Sequence, residues 1–467
     1  MFQLMKMYKV LYLKGYNDSH FFICFCFALI KNYFCRPKQL LSIFLIMPSL
    51  KLSRLAETLI GSEIVKLGAD IKAKMAQGNK IYNFTIGDFD SAIFPIPKQL
   101  ENEIITAYKT YHTTYPPADG ILELRNAVAE FIQKREGLLF ANDEILIAAG
   151  GRPLIYAAYR AIVDKGEKVI YAVPSWNNNH YVHFTEGEHV LIESKKENNF
   201  MPTAKEIKLH LKGTSLLALC SPLNPTGTTF TKQELEDICD LVIAENEQRG
   251  DDEKKLYLLY DQIYWTLTYG KTAHYNPVSL RPKMKEYTIF IDGISKAFAA
   301  TGVRVGWAMG PAHLINKMKA INSHVGSWAP MAEQKATAKY LLQIEEVDNY
   351  LTYFKNEIEE RLQRIYSGFQ QLKAEGFSVD AISPQAAIYL TIQIDLVGKT
   401  TADGKKLTDQ TEVTEYLLNE AKLAIVPFSA FGASAKSTWY RLSVGTCKKE
   451  EIDEMIEKLK ASLIKLT

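Results

Sequence analysis

No Cys-x-x-C pair and no Cys/His cluster of zinc spacing occurs in this 467-residue chain. Its six cysteines are Cys24, Cys26, Cys35, Cys220, Cys239 and Cys447. The three after residue 47 lie far apart, which argues against a disulfide scaffold and reads as reduced thiols of a cytoplasmic protein. Net charge is scarce as well. Fifty-five Lys+Arg against 53 Asp+Glu leave a formal +2 at pH 7, so bulk electrostatics favours neither nucleic acid nor an anionic membrane as partner. Repeats and low-complexity blocks are missing. The apolar runs at 21–30 and 40–47 are each too short to cross a bilayer, and Lys31, Arg36 and Lys38 interrupt them.

The first 46 residues stand apart. They hold half of the cysteines and many aromatics, and no small-residue cleavage site follows them. At Met47 the sequence turns amphipathic, so the expectation is a start at Met47, with 1–46 an extension outside the fold.

From about residue 60, helical and strand-like stretches alternate. Apolar spacing predicts helices over 121–135, 154–163 and 232–246. The stretches "EILIAAGG", "KVIYAVP", "HVLIES", "SLLALCSP", "KLYLLYD", "TIFIDG" and "VGWAMG" are short apolar runs bounded by turn residues. The alternation predicts an α/β fold whose mostly parallel sheet is covered by helices on both faces. After Pro330 the pattern changes. Residues 331–374 read as one long charged helix. Strand-like "AAIYLTIQI", "AIVPFSAF" and "TWYRLSVG" follow, and then a helix over 448–466, which together make a smaller α+β domain. The expected division is an extension at 1–46, an arm and part of the small domain at 47–95, a large domain at 96–344, and the rest of the small domain at 345–467. The charged stretch "ENEQRGDDEKK" at 245–255 reads as a surface loop or frayed helix end.

Ligands bind outside the carboxyl ends of parallel strands, and here those ends carry polar residues. In "AAGGRPLIY", Gly150 and Gly151 precede a helix start whose N–H groups suit an anion, although the same letters make an ordinary turn. "SPLNPTGT" holds Asn224 between prolines after a strand, where it donates to a ligand oxygen or simply serves a loop. "LLYDQIYW" ends a strand with Asp261, followed by Tyr264. A carboxylate buried there is paired or protonated, or else caps a helix. "GISKAFAATGVRVGW" presents Lys296 between small residues and Arg304 eight positions later. A lysine ending a buried strand either snorkels outward or has chemistry to do, and the fork of an arginine suits a phosphate.

Together these fit a cofactor with a phosphate, a basic ring nitrogen, a phenolic oxygen and an aldehyde, which is pyridoxal 5'-phosphate. The motifs S-P-x-N-P-T-G, Y-D-x-x-Y and S-K-x-F-x-x-x-G-x-R-x-G, in that order and with 35 residues from Asp261 to Lys296, resemble those of the class I/II aminotransferases of fold type I, aspartate aminotransferases among them. The resemblance extends over about residues 52–466. It implies the fold-type-I architecture: a large α/β domain with a mostly parallel mixed sheet, and a smaller α+β domain from the chain ends.

The resemblance also implies function and roles. An amino group passes from an L-amino acid to a 2-oxo acid, with Lys296 forming a Schiff base to the cofactor and then carrying the proton of a 1,3-shift. Asp261 keeps the ring nitrogen protonated, while Asn224 and Tyr264 bond the ring oxygen. Trp176 in "VPSWNNN" stacks on the ring, a plain core tryptophan being the alternative. The phosphate is held by the N–H groups of Gly151 and Arg152 beside Gly150, by Arg304, and by a hydroxyl near Ser295. Gly293 stands where many relatives carry a further serine. Tyr115 in "TTYPPADG" matches the tyrosine that reaches the phosphate of a neighbouring subunit, which implies a homodimer. Arg441 in "WYRLSVG" binds the substrate α-carboxylate, a structural salt bridge being the alternative, and Gly87 in "FTIGDFD" brings its backbone to the substrate. Arg152 also stands where some aspartate-type relatives read a distal carboxylate, so aspartate or glutamate is the preferred donor. An apolar pocket around Trp328 would instead favour aromatic or aliphatic donors. Gln262 replaces a glutamate common in the family, a change with no expected consequence. A C–S β-lyase or decarboxylase on the same scaffold would share Lys296, Asp261 and Arg304. A regulatory non-enzyme lacks a helix-turn-helix to support it.

Overall fold

The structure is a computed structural model that describes residues 51–61, 63–78 and 80–467. The expectation for residues 1–46 lies outside them. Backbone contacts divide the chain into two units, 1–58 and 59–467. In the first, the described residues form one short helix, Arg54–Glu57, whose cap Ser53 accepts from the Ala56 N–H.

The second unit begins with a helix, Glu63–Ala76, followed by a two-residue strand, β1 (Tyr82–Asn83). Its large sheet is built from β2 (Ile145–Ala148), β3 (Lys168–Val173), β4 (Glu188–Glu193), β5 (Thr214–Cys220), β6 (Tyr257–Asp261), β7 (Thr288–Gly293) and β8 (Gly306–Met309). The spatial order is β2-β8-β7-β6-β5-β3-β4. Only β8 opposes the others, being antiparallel to both β2 and β7. The inner strands are near-continuous apolar runs because helices cover both faces. Alternate residues part between two cores: Leu217, Leu258 and Phe290 go to one, Leu216, Leu259 and Ile289 to the other. Helices Leu122–Glu136 and Lys232–Gln248 close the first core, Gly151–Ile162 and Ala312–Val325 the second.

The strands β9 (Val379–Ala381), β10 (Tyr389–Ile394), β11 (Leu423–Ala424), β12 (Val426–Pro427) and β13 (Trp439–Ser443) follow. An antiparallel sheet has the order β12-β13-β10-β9, and β11 pairs in parallel with β1. Register pairs Tyr389 with Ser443 and Thr391 with Arg441, so these four side chains share one face. That face meets the loop after β5: Thr391 Oγ1 donates to the Thr226 carbonyl at 2.7 Å. The small sheet is thereby fixed against the carboxyl edge of the large one.

One expectation changes. Residues 331–374 form two helices, Met331–Leu341 and Ile344–Ala374, because Gln343 leaves helical geometry at φ −88°, ψ 72°. The first packs against helices Lys98–Lys109 and Leu122–Glu136, the second against β9, β10 and the last helix, Ile452–Ile464. The charged stretch at 245–255 is, as expected, a helix end and an exposed turn, and it is also tied down. The buried Asn246 amide both donates to and accepts from the backbone of Leu256, at 2.9 and 2.7 Å, and Lys254 pairs with Asp164 and Glu167. Cys220, Cys239 and Cys447 are free thiols. Among the described residues, no helix is long and apolar enough to cross a membrane.

Candidate active site

A cavity of about 660 Å³ opens at the carboxyl edge of the large sheet. Strand polarity explains its chemistry. β5, β6 and β7 end there: Asp261 is the last residue of β6, and Asn224 and Lys296 come from the turns after β5 and β7. Because β8 runs the other way, it starts at this edge, and the residue shortly before it, Arg304, reaches the same place. The small sheet contributes Arg441 and Tyr389 from the opposite wall, and the segment after β1 contributes Gly87 and Asp88.

Lys296 Nζ donates to the Gly87 carbonyl at 2.8 Å. Burial pushes its pKa down to about 8, opposed by Asp88 and assisted by Arg441, Arg152 and Arg304. Asp261 faces the cavity with its carboxylate, and the Ile263 N–H donates to it at 3.1 Å. Burial pushes its pKa up to about 6. Tyr264 is buried, and its hydroxyl lies 2.6 Å from that of Tyr389.

Arg441 is 1% exposed. It donates to Asn224 Oδ1 at 3.1 Å and to the Thr85 carbonyl at 2.6 Å, and its guanidinium lies over the rings of Tyr389 and Phe431. Its Nε has no partner, and among the described residues no carboxylate pairs with it. The salt-bridge alternative therefore has no support. Arg304 has φ 61°, a conformation costly for a side chain with a Cβ. Two carbonyl bonds hold it there, to Thr301 at 2.8 Å and Ala149 at 2.6 Å. A Cβ on Gly150 would lie 2.3 Å from Arg304 Nη2, and Gly150 itself has φ 86°. Gly293 has a similar reason to lack a side chain, since a Cβ there would lie 2.8 Å from the backbone of Gly306 and Val305. A serine cannot be seated at that position without moving β8.

Gly151, Arg152, Trp176 and Ser295 complete the wall. The Arg152 guanidinium sits 5.4 Å from the centre of the Trp176 ring. Tyr115 is not in this wall. It is 85% exposed and packs edge-on against Trp328. Trp328 is outside this cavity too. Sequence reasoning missed Asp88, Thr301 and Tyr389. Asp88 accepts from Thr301 Oγ1 at 2.7 Å and faces Lys296.

A seven-stranded mixed sheet with a lysine, an aspartate and three arginines gathered at its carboxyl edge is the arrangement of the fold-type-I pyridoxal-phosphate transferases. The family model for aminotransferase class I and II matches residues 79–459, and the chain belongs to that family. It is similar to the aspartate aminotransferase of Rhizobium meliloti (strain 1021), 29% identical over 87% of this chain and 94% of the relative. That of Bacillus subtilis (strain 168) is 28% identical over 88% and 98%. Among solved structures, the Rhizobium meliloti aspartate aminotransferase superposes with a TM-score of 0.82 at 28% identity, covering 90% of this chain and all of that one. The Thermus thermophilus aspartate aminotransferase with maleate gives 0.78 at 27% identity, covering 89% and 100%. The protein is thus an enzyme, a pyridoxal-phosphate-dependent aminotransferase. The lyase, decarboxylase and regulatory readings are not favoured.

Proposed function

We propose that this cavity holds pyridoxal phosphate and moves the amino group of a dicarboxylic L-amino acid, aspartate or glutamate, to a 2-oxo acid. The observation that carries the reading is a buried Arg441 without a carboxylate, in one cavity with Lys296 and Asp261. Cationic side chains outnumber carboxylates there, as a phosphate and a carboxylate substrate require.

The residues fit the cofactor. Among the described residues Asp261 has no cationic partner, and a protonated ring nitrogen supplies one. Gly150 and Gly151 leave open the approach to the N-terminus of helix Gly151–Ile162, whose free N–H groups suit a phosphate. Arg304 reaches the same turn, and Ser295 adds a hydroxyl. Asn224 and Tyr264 would hold the ring oxygen, and Trp176 would lie against the ring. Tyr115, exposed in this chain, reaches the phosphate of a second copy, which makes the working unit a homodimer.

When bound, the cofactor supplies the aldehyde that accepts the amino group and a ring that delocalises the electron pair left at the substrate Cα. Arg441 binds the α-carboxylate through its fork and fixes the plane of the amino acid. Asn224 Oδ1 and the Thr85 carbonyl orient that fork. Lys296, with its pKa brought down to about 8, offers a neutral Nζ often enough near neutral pH to take the proton from the substrate Cα. Asp88, held by Thr301, limits that loss of basicity. Arg152, resting on Trp176 at the cavity wall, meets the distal carboxylate. The maleate of the Thermus relative has two carboxylates on four carbons, as aspartate does.

The test is product analysis of the cofactor-loaded enzyme with single donors and 2-oxoglutarate. Oxo acid formed from aspartate without ammonia supports the reading. Ammonia with pyruvate, or activity with neutral donors alone, would overturn it.

A further inference from the structure

We propose that Tyr389 is a positioning residue of the transfer reaction, linking the arginine that takes the α-carboxylate to the tyrosine that faces the cofactor's ring oxygen. The inference rests on the site reading given above. It starts from a residue that looks like core: Tyr389 opens β10, is 1% exposed and sits in an apolar run. Its hydroxyl nevertheless reaches the cavity.

Three contacts define its position. Its Oη lies 2.6 Å from Tyr264 Oη, a distance at which the two oxygens share one hydrogen. The Arg441 guanidinium stands 4.8 Å from its ring centre. A Cβ on Gly87 would come to 3.0 Å of its Oη, so Gly87 is what leaves the hydroxyl room. The backbone is fixed as well. Gly227, at φ 70°, lies so close that a Cβ there would be 2.3 Å from the Tyr389 carbonyl oxygen. The backbone that carries the ring is therefore held close against Gly227.

This geometry has an electrical consequence. A cation over a phenol ring draws charge from it and makes its O–H a better donor. Burial raises the pKa of Tyr389 overall; Arg441 and the bond to Tyr264 act against that rise, and Cys220 and Asp88 add to it. When Tyr389 donates to Tyr264, the hydrogen of Tyr264 turns toward the cavity. A carboxylate on Arg441 neutralises the cation and weakens the donation. Filling of the carboxylate site is in this way felt at the ring oxygen before any atom of the substrate reaches it.

Tyr389→Phe keeps the ring beneath Arg441 and deletes only the hydroxyl. The measurement is the pH midpoint of the holoenzyme's visible absorption band, with and without maleate, beside the maleate Kd and the kcat and KM for aspartate. The shift that maleate causes in the midpoint should fall to less than about half of its wild-type size, as expected for removing a coupled neighbour. Because the ring remains, the maleate Kd should change by less than about threefold, while kcat falls about tenfold. An undiminished shift in a folded Tyr389→Phe enzyme overturns the link and leaves the functional reading standing. If Tyr389→Phe does not fold, Tyr264→Phe cuts the same bond from the other side and should lose the same shift. A wild-type enzyme with no visible band, or with a band indifferent to maleate, overturns both.

Discussion

Lys296 Nζ and the Gly87 carbonyl oxygen stand 2.8 Å apart although 209 residues separate them in the chain. The bond ties the end of β7 to the segment after β1 and aims the amine across the cavity. Lys296→Ala is expected to lower kcat by at least about 10³-fold, the combined loss of a nucleophile and a proton carrier. Steady-state rates with saturating cofactor check it, and near-normal turnover would remove Lys296 from the mechanism.

Asp261 supplies a pH prediction for the cofactor-free protein. Burial raises its pKa from 3.8 to about 6. Between those values the folded chain holds a proton that the unfolded chain has lost, so stability falls as pH rises through the window. Asp261→Asn should therefore be the more stable at pH 7 by about 1–3 kcal/mol, with the gain shrinking as pH drops from 6 toward 3.8. Added cofactor should reverse the order, since only the aspartate gains a charged partner. Urea unfolding at several pH values measures this.

The two arginines proposed to bind carboxylates, Arg441 and Arg152, should separate kinetically. Arg441→Lys keeps charge but loses the fork, and kcat/KM should drop about 10²-fold for every donor. Arg152→Met should cost aspartate and glutamate about 10- to 100-fold and leave alanine nearly unchanged. Equal losses across donors for Arg152→Met would return that residue to the phosphate alone.

Gly150→Ala should act through its neighbour. The new methyl group displaces the Arg304 guanidinium from the turn, and cofactor affinity should weaken about tenfold or more, since a charged hydrogen bond is worth roughly 1.5–3 kcal/mol. Fluorescence titration of the cofactor-free protein reads this directly.

Gln262 has a partner that its neighbours in sequence do not reveal. It is fully buried, and its Nε2 donates to Glu136 Oε2 at 2.8 Å, while Asn276 Nδ2 donates to the other oxygen at 3.2 Å. A glutamate at 262 would set two buried carboxylates against each other, and one would have to stay protonated. Gln262→Glu is expected to destabilise the enzyme by about 2–4 kcal/mol at pH 7, and by less at pH 5. Thermal unfolding at both pH values decides it.

What the sequence disclosed follows from where information is local. Asp261 closes a strand and Asn224 and Lys296 follow one within a few residues, so a short stretch carries both the strand and the polar residue near its end. Tyr389 closes nothing; "AAIYL" reads as core, and only the pairing of β10 with β13 turns its ring under Arg441. Asp88 and Thr301 escape notice for the same reason, being partners from segments 213 residues apart. The break at Gln343 carries neither glycine nor proline, so apolar periodicity runs straight through it. Gln262 looked like a neutral exchange because its reason, Glu136, lies on a helix 126 residues away.

The reversed strand β8 makes the segment between Lys296 and Arg304 part of a closed loop. Gly293 and Gly306 face each other in register, and the Ile294 N–H donates to the Val305 carbonyl at 3.2 Å. Both charged residues are thus carried on one clasp whose ends are locked together. The separation between the Lys296 amine and the Arg304 guanidinium is a property of that clasp and not of the surrounding domains. The eight-residue interval is therefore a ruler: lengthening it by one residue should misalign the two grips on the cofactor while the rest of the enzyme keeps its shape.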